Sequence, residues 1–316
     1  MLRILHNTNW DVLAKWRLSF ITVLVFVVPA LVLVPFKGFN YSIEFTGGTQ
    51  VELTFKDAPE VADVRAALAG AGLPDAEIYT FGSPNDFVVR AQEAEQVEAL
   101  AAGATTVVQQ IETALTSRYG AGAFTIGRTA AVGARVGSEL RMQATIATLI
   151  AFALTLVYIA WRFEWRFGVA TILATVHDLV ATLAFIMYMD LEVSVFVVGA
   201  VLTVIGYSMN DTVVVFDRVR ENLRMHRKES LYALLNRSVN ETMPRTVMTG
   251  STTLATLLAL LIFGGTVIRP FAWVLTFGIV VGTFSSVFIA SPLLLWIERK
   301  YPRPNEAAPQ HQAARA

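Results

Sequence analysis

The sequence predicts an α-helical polytopic membrane protein, with six transmembrane helices and one α+β domain outside the membrane. Three observations carry that prediction. Apolar residues gather into six runs, each long enough to cross a bilayer. A polar stretch of mixed pattern separates the first run from the other five. Inside the fourth run, VSVFVVGAVLTVIGYSMNDTVVVF, stands an acid, Asp211.

Hydrophobic residues make up 54% of the chain and charged residues 16%, a balance that does not suit a soluble protein. A helix needs about 20 apolar residues to cross about 30 Å of hydrocarbon. The runs that meet this are Leu18–Phe36, Met142–Trp161, Phe167–Met189, Val193–Phe216, Val247–Ile268 and Phe271–Ile297. The first reads as a retained helix, because its apolar core is long for a signal peptide, contains Pro29, and precedes no small-residue cleavage site.

Lys and Arg set the orientation. With the N-terminus in the cytoplasm, an even number of spans returns the C-terminus there. Most of the 25 basic residues then lie inside, including Arg3, Lys15, Arg17, Arg162, Arg166, Arg299 and Lys300. Residues 1–17 form an inner tail, about 217–246 a basic inner loop, and 298–316 a disordered inner tail. There is no cysteine, which excludes disulfides and thiolate metal sites. His6, His177, His226 and His311 lack metal-ligand spacing. Neither cofactor nor nucleic acid is implied, and no nucleophile or cofactor motif supports an enzyme.

Residues 37–141 form the outer domain. TQVELTF alternates as a half-buried strand, and Pro59–Ala71 places Val61, Val64 and Leu68 on one helix face. AEIYTF and DFVVRA are short strands either side of a GSPN turn. Gln96–Tyr119 is helical in pattern, and AFTIGR is a last strand. The order β-α-β-β-α-β predicts a ferredoxin-like sandwich. The Gly-Gly of FTGGT lacks the lysine and helix of a phosphate loop, so it reads as a backbone turn at the membrane exit.

Polar residues inside the spans form stripes. Thr171, Thr175, Asp178 and Thr182 share one face of the third span. Tyr207 and Ser208 stand a turn before Asp211 in the fourth, with Asn210 beside it. Arg245, Thr249, Thr252 and Thr256 repeat the pattern in the fifth. Threonines alone are interhelical glue. A carboxylate in hydrocarbon is costly and marks an ion path by default. Asp178 reads equally as structural acid or relay member. His177, its neighbour in sequence, is expected to point elsewhere. Asp217 opens DRVREN as an interfacial ion-pair residue. Arg245 either snorkels to the headgroups or faces the bundle interior. A guanidinium keeps its proton, so it influences Asp211 only by approaching or withdrawing. Alternating exposure of that acid would couple it to a gradient that supplies about 2.3 kcal/mol per charge at 100 mV.

AVLTVIGYSMNDTVVVFDRVREN closely resembles the signature of the SecF family, the smaller half of the bacterial SecDF protein-export factor in the RND superfamily. YSIEFTGGT, GARVGSELR and PRTVMTGSTT fit the same family, in order, over nearly the whole chain. The resemblance implies a bacterial inner-membrane subunit that pairs obligately with SecD. It would work beside the SecYEG channel, with YajC as a further associate. It would use the proton-motive force to draw preproteins outward. The family's essential Asp falls on Asp211 and its essential Arg on Arg245, with Asp178, Asn210 and Thr249 as further coupling residues and Asp217 and Tyr207 secondary. The usual I-D-F of the exit loop is replaced here by Glu44. A chain holding one half only is expected to take the other from a separate SecD.

Two other readings stand beside this one. One is a small-molecule exporter subunit of the same superfamily, against which the small outer domain argues. The other is a structural SecD-binding subunit without ion coupling. A lone carboxylate suits H⁺ and Na⁺ alike.

Overall fold

The computed structural model describes residues 8–91, 100–226 and 228–302, so His6, His311 and most of the expected C-terminal tail lie outside it. Besides a single helical turn at Ile43–Thr46, the helices are α1 (Leu13–Lys37), α2 (Val61–Gly70), α3 (Leu100–Tyr119), α4 (Ala134–Arg162), α5 (Trp165–Tyr188), α6 (Val195–Met225), α7 (Leu231–Phe263) and α8 (Val267–Lys300). All but α2 and α3 are long and apolar enough to span a membrane. The strands are β1 (Gly48–Phe55), β2 (Glu77–Phe81), β3 (Ser83–Ala91) and β4 (Phe124–Val132). The chain divides into two compact units: residues 40–147 with Glu192–Val195, and the remainder.

In the smaller unit the strand order is β2-β3-β1-β4, antiparallel throughout, as a ferredoxin-like βαββαβ chain requires. Val51, Leu53 and Phe55 alternate onto one face of β1 and meet Val64 and Leu68 of α2 and Ile111 and Leu115 of α3. Leu53 opposite Phe87 and Val51 opposite Val89 fix the register, because a one-residue slip would turn this set outward. The expected GSPN turn is tighter than the sequence suggests. Gly82, at φ +83°, reverses the chain alone, and Ser83, Pro84 and Asn85 already belong to β3. Asn85 instead donates to the carbonyls of Phe55 and Lys56, both at 2.9 Å.

The larger unit is a helix bundle. Phe167, Phe216, Leu234, Leu235 and Leu294 fill its core at the end that holds Arg162 and Arg166. Outward residues of α4 and α7, such as Leu149, Leu154, Val157, Ile262 and Phe263, are exposed, as lipid-facing side chains are. Two helices widen to π geometry just before a proline: Val23–Val27 before Pro29, and Ser286–Ala290 before Pro292. Proline has no N–H and its ring crowds the carbonyl four residues back. That carbonyl in α8 is Phe288 O, and Ser19 of α1 donates its hydroxyl to it at 2.6 Å.

Several boundaries differ from the sequence reading. The first span begins at Leu13. The 217–246 stretch is almost wholly helical, since α6 runs on to Met225 and α7 starts at Leu231. Its charges pair along the helices rather than opening a loop: Arg218 meets Glu221 and Glu241, both at 2.6 Å. α8 continues to Lys300, three residues into the expected tail. The N-terminal segment is pinned to α7. Asn240 accepts from Trp10 N–H and donates to Trp10 O, each at 2.9 Å. Asn236 accepts from Val12 and Leu13 N–H, both at 3.1 Å.

Candidate functional site

The third-span stripe is buried. Thr171, Thr175, Asp178 and Thr182 are at most 1% exposed, and each threonine bonds a carbonyl four residues back along α5. Such back-bonding satisfies the hydroxyls without asking anything of a neighbouring helix. Asp178 does reach outward. Its Oδ2 accepts from the Ser208 hydroxyl of α6 in a short bond, and its Oδ1 lies 2.9 Å from His177 Nδ1. His177 thus folds back onto its neighbour instead of turning away. Adjacent helical residues diverge by about 100°, but a long imidazole can bend round to a short carboxylate.

Asp211 sits on the buried face of α6, 3% exposed, three residues beyond Ser208. Thr283 of α8 donates to its Oδ2 at 3.3 Å, the one hydrogen bond found for this carboxylate among the described residues. Tyr207 is half-buried. Its hydroxyl and Thr283 Oγ1 both lie 3.8 Å from where a side chain on Gly250 would begin, so this buried glycine of α7 packs at contact distance from both groups. α8 approaches α6 through Gly278 and Gly282, a small-xxx-small pair that lets backbones come close. Val204 and Ser208 fill the space in front of these glycines.

Arg245 is exposed on α7 and interacts with Asp211 through space, without an ion pair between them among the described residues. Thr249, half-buried, donates to Arg245 O at 2.9 Å. Thr252 and Thr256 are exposed with Arg245, so this stripe faces away from the chain's own body. Asn210 is exposed as well, about 100° round α6 from the buried acid. Asp217 lies 3.6 Å from Arg162 and 3.4 Å from Arg220, an ion-pair residue near the helix end. The structure therefore gathers Asp178, Ser208 and Asp211 at the α5–α6–α8 seam, with the Tyr207 hydroxyl turned toward Gly250 of α7. It leaves Arg245, Thr249 and Asn210 facing outward or half-covered.

Sequence reasoning missed Thr283 and the Ser208–Asp178 bond. The signal for the first was the polar pair Gly282-Thr283 in an apolar helix. For the second it was the short run Tyr207-Ser208, read only against Asp211. Among the described residues no three His, Asp or Glu side chains are grouped to hold a metal.

Six long apolar helices, two acids sealed between them and a sheet domain inserted after the first define a multi-pass membrane protein with an ionisable core. A family model described as "Protein export membrane protein SecD/SecF, C-terminal" matches residues 110–300, and one described as "SecD/SecF GG Motif" matches residues 32–59. The chain belongs to the SecD/SecF family, on its SecF side. A relative from Gemmatimonas aurantiaca, named protein translocase subunit SecF, is 53% identical over 98% of this chain and 93% of its own. One of the same name from Pseudomonas aeruginosa is 38% identical over 89% of each. The crystal structure of SecDF from Thermus thermophilus, a translocon-associated membrane protein, superposes with a TM-score of 0.82 at 36% identity. That match covers 95% of this chain and 40% of the SecDF chain, so the chain spans well under half of that protein's length. A SecDF structure in a super-membrane-facing form gives 0.68 at 35% identity, covering 96% and 41%. These relatives make the chain a multi-pass bacterial membrane protein and a subunit associated with Sec protein translocation.

Proposed function

We propose that the chain works as the SecF half of a two-part export unit. SecD supplies the other half. A transmembrane gradient of H⁺ or Na⁺, acting through Asp211, promotes the outward passage of preproteins beside the SecYEG channel, with YajC associated. The chain would lie in the inner membrane with both termini in the cytoplasm.

The observation that carries the reading is the contrast between the two buried acids. Asp178 has both carboxylate oxygens engaged, by Ser208 and His177. Asp211 has one long bond, from Thr283, and no other among the described residues. A buried carboxylate with spare acceptor capacity can take a cation. Asp178 then acts by holding α6 against α5, and Asp211 binds and releases. Arg245 stays charged and reaches the acid only by movement of α7. Thr249 and Asn210 line the approach, and Asp217 and Tyr207 bound it.

The test is Asp211→Asn in inverted membrane vesicles, with export of a secreted precursor measured with and without an imposed pH or Na⁺ gradient. The side chain keeps its shape and loses its charge. The expected result is normal assembly with no stimulation of export by either gradient. Full stimulation in the variant would refute ion coupling and favour a purely structural, SecD-holding subunit.

A further inference from the structure

The Gly-Gly segment has a geometry that a plain turn does not need. Asn40–Gly47 is fastened to three other pieces of its own compact unit. Tyr41 forms a parallel bridge with Val193. Val193 N–H donates to Asn40 O at 2.7 Å, and Ser42 N–H to Val193 O at 3.0 Å. Glu44 Oε2 accepts from Val195 N–H at 2.8 Å, which caps the first turn of α6. The first N–H groups of a helix have no partner within it and favour an anion. The acid that replaces the usual Asp of the exit loop therefore closes the very helix that carries Asp211.

Arg90 reinforces the same place. It stands on β3, 7% exposed, and its guanidinium lies 2.5 Å from Glu192. It also donates to Gln50 at 3.2 Å, Asn40 Oδ1 at 3.4 Å and Tyr41 O at 3.5 Å. On the other side, a side chain on Gly47 would begin 2.6 Å from Ala134 Cα, and one on Gly137 would begin 2.8 Å from Gly47 N. The segment thus grips β3, the start of α4 and the start of α6.

Asp211 lies on the same unbroken helix as Val195, ~24 Å along it at 1.5 Å per residue. We propose that Glu44, Arg90 and Glu192 are positioning residues of a mechanical joint, through which movement of α6 at Asp211 reaches the sheet domain. This rests on the ion-coupling reading above. It makes the Gly-Gly segment a transmission element and the connector Glu192–Val195 a working part.

The experiment uses the full chain in membrane vesicles where it is the only copy, with two readouts: gradient-driven cation entry and export of a secreted precursor. Arg90→Ala is expected to leave cation entry unchanged and to abolish the gradient's stimulation of export. Tyr41→Cys with Val193→Cys, added to Arg90→Ala, is expected to restore export when oxidised and lose it again on reduction. Bridged strands lie ~4.8 Å apart, within the reach of a disulfide, and the chain has no cysteine of its own to confuse the result. Glu192→Gln, which keeps its shape, is expected to show the same split and the same rescue, and serves if Arg90→Ala does not accumulate. Undiminished export in both variants overturns the joint. So does a loss that the disulfide fails to reverse at normal abundance. Cation entry that ignores Asp211→Asn in the otherwise unaltered chain refutes the coupling reading instead, and the joint with it.

Discussion

Gly278→Ala inserts one methyl group where α8 meets α6. That carbon would overlap Val204 Cγ2 and stand 2.8 Å from Cγ1, with Val204 Cβ at 3.1 Å. Carbon atoms rest at about 3.5–4.0 Å, so the helices must part by at least roughly 1 Å. Val204 cannot swing aside, because a β-branched residue in a helix has essentially one side-chain rotamer. Overpacking of this kind costs about 1–3 kcal/mol. Parting also breaks the Thr283–Asp211 bond, already 3.3 Å long, for about another 1–2 kcal/mol. The variant should unfold in detergent at a lower temperature, followed by tryptophan fluorescence, and should export poorly. Adding Val204→Ala removes both γ carbons and leaves only the 3.1 Å approach, which a small shift relieves. The double variant should recover most of the export activity. A single variant with normal unfolding and export would refute the packing argument, as would a double variant no better than the single one.

Three further outcomes are expected. Thr283→Val keeps shape and removes the donor to Asp211. It should slow gradient-driven export by about tenfold, as loss of a hydrogen bond to a charged group worth about 1.5 kcal/mol would, while Thr283→Ser should not. Asn240→Ala removes both bonds that hold Trp10 and should loosen the N-terminal segment by about 1–3 kcal/mol. Limited trypsin digestion at Lys15 and Arg17 would reveal it, and unchanged cleavage would count against the pin. Burial pushes the Glu192 carboxyl above its ordinary value, outweighing the pull of Arg90. Its folded form therefore binds a proton more tightly than the unfolded chain. Its contribution to stability is full below the unfolded value of 4.5 and is lost as pH rises through the raised one. Glu192→Gln should flatten the pH dependence of unfolding over that window.

The helices were legible because hydrocarbon imposes a length on every crossing, and no other environment selects six such runs. The sheet order was legible from alternation in TQVELTF and from the helical patterns that interrupt the strands. What escaped reading is what depends on neighbours. Asp178 stood out as an acid in an apolar run, but nothing local says that Ser208 will donate to it. Thr283 looked like one more hydroxyl until α8 was laid against α6. The charges of 217–246 suggested a loop, yet Arg218 with Glu221 and Glu241 is the pairing of a solvated helix face. Glu44 was noticed only as a departure from a pattern, because its partner Val195 lies far away in sequence and next to it in space.

The outward-turned ridge of α7, with Arg245, Thr252 and Thr256, has a consequence for the life of the polypeptide. The threonine hydroxyls donate to carbonyls of their own helix, at 3.0 and 3.2 Å, but fatty-acyl chains offer no counter-ion to a guanidinium. On the proposed pairing, a newly inserted copy that meets no mate would hold that charge against lipid and should turn over faster than a paired one. The abundance of one half would then ration the other, whatever the rates at which the two are made.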